Sequence, residues 1–258
     1  MSHVALPERC DLLGTRVSAS SFVGAQDALA ALVAHAQGGY VSPATAFSLV
    51  LGLDDAGYRA RVNAAAMVTA DGMPVVWALH RLGHPGAERV HNDDLALACC
   101  ARFGHWRHYL VGGRVGQPEQ VVAALRARFP GIMVVGMRPT PQRPVPAAIT
   151  ADILVDIAAS GADVVWVGLG TPAQDDWMHA AAASVRAPMV GVGSLFDLLA
   201  GRTRAAPDWV KRSGLQWLFR LLQEPRRLAR RYALTNTRFV VALARQFARR
   251  QRHDRAQR

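Results

Sequence analysis

The chain has 258 residues with 30 Lys+Arg against 19 Asp+Glu, a formal charge of +11, and only 3 cysteines. That length buries an ample core without disulfides, and Cys10, Cys99 and Cys100 offer neither an ordinary bridge between neighbours nor a zinc-ligand spacing. The charge is local: residues 201–258 hold 16 basic against 3 acidic side chains, or +13, while residues 1–200 hold 14 against 16, or −2. A near-neutral body with a basic appendage points to an anionic partner, whether a membrane surface, a nucleic acid or a phosphate-bearing substrate.

Taken in chain order, the N-terminus MSHVALPERCDLLG lacks the basic and apolar regions of a secretory signal, so the sequence is read as cytoplasmic. The longest run without Asp, Glu, Lys or Arg, residues 28–53, is interrupted by His35, Gln37, Gly38, Gly39 and Pro43, which places any membrane contact at the periphery. Short β-branched runs then alternate with Ala/Leu-rich segments of helical period. GYVSPA precedes a helix near 55–65, MVTADG one at 73–82, and HYLVGG one at 118–128. IMVVGM is followed by a helix near 147–159, DVVWVGLG by one near 173–185, and PMVGVG by one at 195–200. This alternation predicts an α/β domain over residues 1–200, a doubly wound, mostly parallel Rossmann-like sheet with ligands at the C-terminal strand ends. The proline-rich RPTPQRPVP (138–146) reads as a loop near that edge.

From residue 201 the pattern changes to helices without strands, a helical, basic C-terminal appendage over 201–258. DWVKRSGLQWLFRLLQ reads as a helical hairpin arm and Pro225 as the first turn of a further helix. In that helix Phe239, Val240, Leu243 and Phe247 share an apolar face flanked by Arg238, Arg245, Arg249 and Arg250. Such a helix suits a membrane interface, or it packs on its own domain with a solvated basic face.

Three strand-to-helix turns carry glycines: Gly112, Gly113 and Gly116; Gly168 and Gly170; Gly191 and Gly193. Glycine lets backbone N–H groups approach phosphate at a helix N-terminus, and tight turns use it regardless. Asp71, between an apolar strand and a helix, is placed either as a general base or as an Asp-Gly turn or cap. Gln174 either reads a sugar or base through its amide or is solvated in the first helical turn, where Asp175 and Asp176 suit the helix dipole. Arg220, Arg227 and Arg230, with Arg226 and Arg231, crowd around Pro225 and form either a diphosphate-binding cluster or a solvated face. His84, His91 and His179 are isolated and receive no role. No Asp-x-Asp supplies a carboxylate pair for a divalent metal.

TADGMPVVW, ERVHNDDL, HYLVGG, RFPGIMVVG, VWVGLGTPAQDDWM, GVGSLFDLLAG and RAAPDWVKRSGLQWLFRLLQEPRRLARRY occur in this order across about residues 12–240. Together they resemble the WecG/TagA/CpsF glycosyltransferase family. The resemblance implies sugar transfer from a nucleotide sugar, usually UDP-linked, to a polyprenyl diphosphate-linked acceptor in bacterial surface polysaccharide synthesis, at the inner face of the membrane. It implies Asp71 as general base, and Arg220, Arg227 and Arg230 as cations that close over the departing diphosphate without a metal or other cofactor. Thr45, Arg89, Gly112, Gly170, Gln174, Gly193 and Asp197 match positions at the nucleotide-sugar pocket. The chain departs from the family pattern at Thr45 (Asn in the family), Asn92 (Gly), Ala173-Gln174-Asp175 (Lys-Gln-Glu) and Gln216 (Glu). These departures leave open a catalytically silent relative that binds nucleotide sugar or membrane within an assembly complex. Nucleic-acid binding has the charge but no base-reading module, and the apolar face of the appendage leaves room for a homo-oligomer.

Overall fold

The computed structural model describes residues 5–207, 209–210, 216–223 and 225–256, without the side chains of 226–228, 230, 231 and 253–256. A hairpin of β1 (Arg9–Leu12) and β2 (Thr15–Ser18) opens the chain, followed by α1 (Phe22–Ala34), β3 (Tyr40–Ala44), α2 (Ala46–Asp54) and α3 (Ala56–Asn63). Next come β4 (Met67–Ala70), α4 (Met73–Arg81), α5 (Asn92–Arg102), β5 (Arg107–Gly112), α6 (Gln117–Arg128) and β6 (Met133–Arg138). The body ends with α7 (Ala147–Ser160), β7 (Val164–Gly168), α8 (Ala173–Ala181), β8 (Met189–Gly191) and α9 (Leu195–Leu199). Two appendage helices follow, α10 (Gln216–Gln223) and α11 (Pro225–Ala256).

All six strands read from the sequence form, and they join one sheet in the order β4-β3-β8-β7-β5-β6. Every pairing is parallel, so "mostly parallel" becomes wholly parallel among the described residues. Strands β3, β4 and β7 are buried along their whole length, which is why they read as continuous apolar runs instead of alternating ones. Helices α2, α3, α4, α7, α8 and α11 pack with the hairpin on one face, and α1, α5, α6 and α9 on the other. The hairpin, α1, α2 and α5 are additions to the sequence reading. The hairpin turns at Leu13 and Gly14, both with positive φ, the geometry a tight two-residue turn needs. It covers the β4 edge, where Val68 N donates to Ser18 Oγ at 3.1 Å.

The appendage docks on the body. Phe239 is 2% exposed in the core, and Leu243 and Phe247 pack against the same cluster. Of the four residues assigned to one apolar face, Val240 alone points away, 62% exposed. α11 packs on α2, where Arg238 forks onto Asp54 at 2.8 and 2.5 Å. Farther along, Gln246 accepts from Leu13 N and donates to Asp11 O, both at 3.0 Å. Pro225 opens the helix as expected, whereas the middle of the predicted hairpin arm, residues 211–215, lies outside the described residues.

Under the sheet, Asp175 is not a solvated helix-terminus charge. It is 0% exposed and accepts from Ser42 Oγ and from Tyr58 Oη at 3.1 Å, while its neighbour Asp176 pairs with Arg61 at 2.7 Å. Burial pushes the Asp175 carboxyl up to about 6 from 3.8, against the lowering effect of the Ser42, Tyr58 and Thr171 hydroxyls. The folded protein therefore holds this proton more tightly than the unfolded chain. The associated stability is complete below about pH 4 and is lost as pH rises through about 6. Replacing Asp175→Asn removes this titration. Between about pH 4 and pH 7 the wild type should lose about 2–3 kcal/mol of unfolding free energy relative to the variant, read from urea denaturation at each pH.

Candidate active site

Adjacent strands β3 and β8 send their following helices to opposite faces, α2 to one and α9 to the other. A crevice must open at the C-terminal strand ends where the helices diverge. A cleft of about 810 Å³ lies there. Its floor comes from the turns after the strands: Thr45 after β3, Asp71 after β4, Gly113 after β5, Gly170 after β7 and Gly193 after β8. Its roof comes from the appendage, with Gln216 and Arg220 of α10 and Asn236 of α11.

Asp71 lies in the cleft with its side chain 14% exposed. The cap of α4 is Gly72, and no side chain caps that helix, so the carboxylate is not taken up as a helix cap. The Asp71 backbone N–H donates to Ala44 O at 3.1 Å, which fixes the turn to the end of β3. Arg89 reaches across from the next loop. Its Nε donates to Asp71 O at 3.3 Å, and its Nη2 donates to Asp94 at 3.4 Å and to Gln216 Oε1 at 2.6 Å. Arg89 thus ties the base of the cleft to its roof.

Gln174 lines the cleft and is not solvated: it is 1% exposed, and its Oε1 accepts from Gly170 N at 3.2 Å and Gly193 N at 3.1 Å. Two N–H groups that suit a phosphate are thereby engaged within the protein. Gly112 does not line the cleft, although Gly113 does. With φ +128°, a Cβ on Gly112 would stand 2.6 Å from Gly168 O, so this glycine serves close strand packing. Asp197 lines the cleft and accepts from Gln117 Nε2 at 2.9 Å.

Arg220 donates to Ser194 Oγ, which donates to Asp93 Oδ2 at 3.0 Å. Burial pushes the Asp93 carboxyl up, and the charges of His91 and Arg220 oppose that shift. The side chains of Arg227 and Arg230 lie outside the described residues. Arg143, from the proline-rich loop, lines the cleft and donates to Gly168 O at 3.4 Å. Burial lowers its tendency to hold the proton, and Asp197 opposes this. His91, Asp93, Ser194 and Arg143 were not singled out from the sequence as site residues. Their shared signal is position: each lies in or beside the loop following a strand or motif. Among the described residues, no group of three or more His, Cys, Asp or Glu is arranged to hold a metal ion.

The family model of the glycosyl transferase WecG/TagA/CpsF family matches residues 10–253. The chain belongs to this family. It is a glycosyltransferase of cell-surface polysaccharide synthesis, a family whose members imply a nucleotide-sugar donor and a lipid-linked acceptor. Among the described residues, no helix is long and apolar enough to cross a membrane.

The departures from the family pattern have structural accounts. Thr45 caps α2 in a reciprocal box with Ser48, accepting from Ser48 N at 3.1 Å while its own N–H donates to Ser48 Oγ at 2.8 Å. Gln216 presents a neutral carbonyl to Arg89 where the family has a carboxylate. Asn92 is a brace, 2% exposed: Oδ1 accepts from Thr69 Oγ1 at 2.6 Å, and Nδ2 donates to Gly191 O at 2.8 Å. The substitution Asn92→Gly supplies the residue that the resemblance leads one to expect but removes both bonds of the brace, leaving the buried Thr69 hydroxyl only Ser42 O at 3.5 Å. It should lower stability by about 1–3 kcal/mol, seen as an earlier urea midpoint with an unchanged slope.

Proposed function

We propose that the protein is an inverting, metal-independent glycosyltransferase that moves a sugar from a UDP-sugar to a polyprenyl diphosphate-linked acceptor. The observation that carries this reading is the Asp71 carboxylate, uncapped and facing a cleft that also holds Arg89, Arg143 and Arg220. In the proposed step the acceptor hydroxyl attacks the anomeric carbon from the face opposite the leaving group, and Asp71 takes the hydroxyl proton. The carbon–oxygen bond to UDP breaks, and guanidinium groups stabilise the diphosphate charge in place of a metal. Arg220 is the described member of the proposed trio with Arg227 and Arg230. Thr45, Arg89, Gly170, Gly193 and Asp197 form the donor pocket in this reading, with Gln174 and Gly112 holding its frame.

Residues 1–200 form the proposed catalytic domain. Residues 201–258 complete the site and address the protein to the inner face of the membrane. The membrane part of this reading rests on exposed apolar side chains of the appendage, Trp209 at 68%, Leu222 at 73% and Val240 at 62%, set among its arginines. Phe239, Leu243 and Phe247 are not available for it, since they face the body.

Transfer from a panel of UDP-sugars to a polyprenyl diphosphate-linked sugar should proceed in EDTA. Asp71→Asn should lower kcat by about 10²–10⁴-fold with UDP binding retained. Loss of transfer on chelation, or full activity of the variant, would refute the mechanism, and no transfer from any donor would favour a silent binding protein. In flotation assays, vesicles containing anionic lipid should carry the wild type at physiological salt, and Trp209→Asp with Leu222→Asp should reduce that fraction several-fold. Self-association measured by sedimentation without lipid, and abolished by the same pair, would instead assign those side chains to a homo-oligomer.

A further inference from the structure

His91 lines the cleft beside Asp71, with its Nε2 3.6 Å from Asp71 Oδ1 and its side chain 12% exposed. It occupies the N-cap position of α5 but makes no capping hydrogen bond, so the ring is not held there by service to the helix. Its Nδ1 is buried and has no hydrogen-bond partner, which is uncommon for a buried polar atom and calls for a reason. Its backbone is fixed by the next residue, Asn92, whose amide is bonded on both sides.

We propose that His91 is the proton partner of Asp71: the proton that Asp71 takes from the acceptor hydroxyl passes to His91 Nε2, returning Asp71 to its ionised form for the next turnover. This rests on the assignment of Asp71 as base. The step balances without another reactant. The acceptor O–H bond breaks as the glycosidic bond forms, the proton moves to Asp71 and then to the imidazole, and it leaves to water when product departs. A neutral ring able to accept at Nε2 carries its hydrogen on Nδ1, the atom that has no partner. Once protonated, the ring lies between two carboxylates, Asp71 at 3.6 Å and Asp94 at 4.0 Å from Nδ1. Both carboxylates favour the cationic form of the ring.

The other charged groups around the ring are compatible with this. Asp93 lies in the first turn of α5 and feels the charge of His91, while Arg89 pairs with Asp94 and Arg220 reaches Asp93 through Ser194. Arg89 also bonds Gln216, so the roof helix lies over this corner of the cleft and limits its exchange with bulk water. A proton partner 3.6 Å away gives Asp71 a first step that does not need that exchange.

The test compares full-length wild type, His91→Gln, His91→Ala and Asp71→Asn in transfer assays between about pH 5 and pH 9, with UDP binding measured by calorimetry. Glutamine keeps a hydrogen-bonding side chain of similar length but does not titrate in this range. His91→Gln should lower kcat by at least about tenfold, change the pH profile of kcat and leave the donor KM within about twofold. Added imidazole should restore part of the kcat of His91→Ala, and more so at a pH where imidazole is neutral. An inactive Asp71→Asn together with a wild-type kcat and pH profile in His91→Gln would overturn the proton-partner role alone. A depressed His91→Ala that imidazole does not rescue would likewise overturn it in favour of a packing role. An active Asp71→Asn would overturn the base assignment and the inference with it.

Discussion

The carbonyl of Gln174, buried at the start of α8, holds the two central turns of the sheet together. By accepting from Gly170 N and Gly193 N at once, it sets the distance between the ends of β7 and β8, next to where the helices diverge. Both glycines have positive φ, 74° and 51°, so each turn adopts a backbone that other residues disfavour and that the shared acceptor keeps in place. A buried N–H without an acceptor costs about 1–3 kcal/mol, so the two turns are coupled through one side chain. The rest of the cleft is built outward from this floor. Thr45 and Asp71 flank it on the β3–β4 side, Gly113 and Asp197 on the β5 side, and the appendage lies above.

The appendage uses two kinds of contact with the body. Burying Phe239 is worth about 2 kcal/mol by its apolar area, whereas the Arg238–Asp54 pair is exposed and screened by solvent despite its forked geometry. Apolar packing therefore fixes where α11 lies, and the ion pair and Gln246 fix its register along α2 and the hairpin. α10 is held differently, by polar contacts to the cleft: Gln216 to Arg89 and Arg220 to Ser194. An appendage whose α10 is joined by hydrogen bonds and whose α11 is joined by packing is the arrangement expected where an entering substrate must displace one and not the other.

The sheet was legible because a parallel strand covered on both faces leaves an unbroken apolar run, as in VVWVG of β7. The hairpin was not, since RCDL and TRVS are four residues each and carry Arg and Asp on their outward positions. Helices α1 and α5 were hidden for a different reason: α1 runs into the long uncharged stretch, and α5 begins inside the motif ERVHNDDL with no strand directly before it. At the site, residue type and position singled out Asp71 as a candidate, and the capping geometry at Gly72 shows that its carboxylate lines the cleft without capping α4. The bracing role of Gln174 was not legible, because a side chain folding back onto two backbone N–H groups leaves no periodic trace. The burial of Asp175 was not legible, because helix position says nothing of its partners Ser42 and Tyr58, which come from β3 and α3.

Four successive residues at the start of α5 show how one helix end can serve both the floor and the roof. His91 faces Asp71, Asn92 braces β4 against β8, Asp93 receives the Ser194 hydroxyl that Arg220 holds, and Asp94 pairs with Arg89. Burial favours the neutral form of Asp93, and the charges of His91 and Arg220 are the leading influences against it, while Asp71 acts in the opposite sense. The ionisation of this one carboxyl thus depends on whether the roof arginine is seated and on the charge carried by the two groups assigned to proton transfer. Arg220 is one of the positive charges that oppose the burial-driven rise of the Asp93 carboxyl, and it is held by the same Ser194 hydroxyl that Asp93 accepts. The seat of the roof arginine and the charge of the floor are therefore linked through one carboxyl, Asp93, which lines the cleft between them.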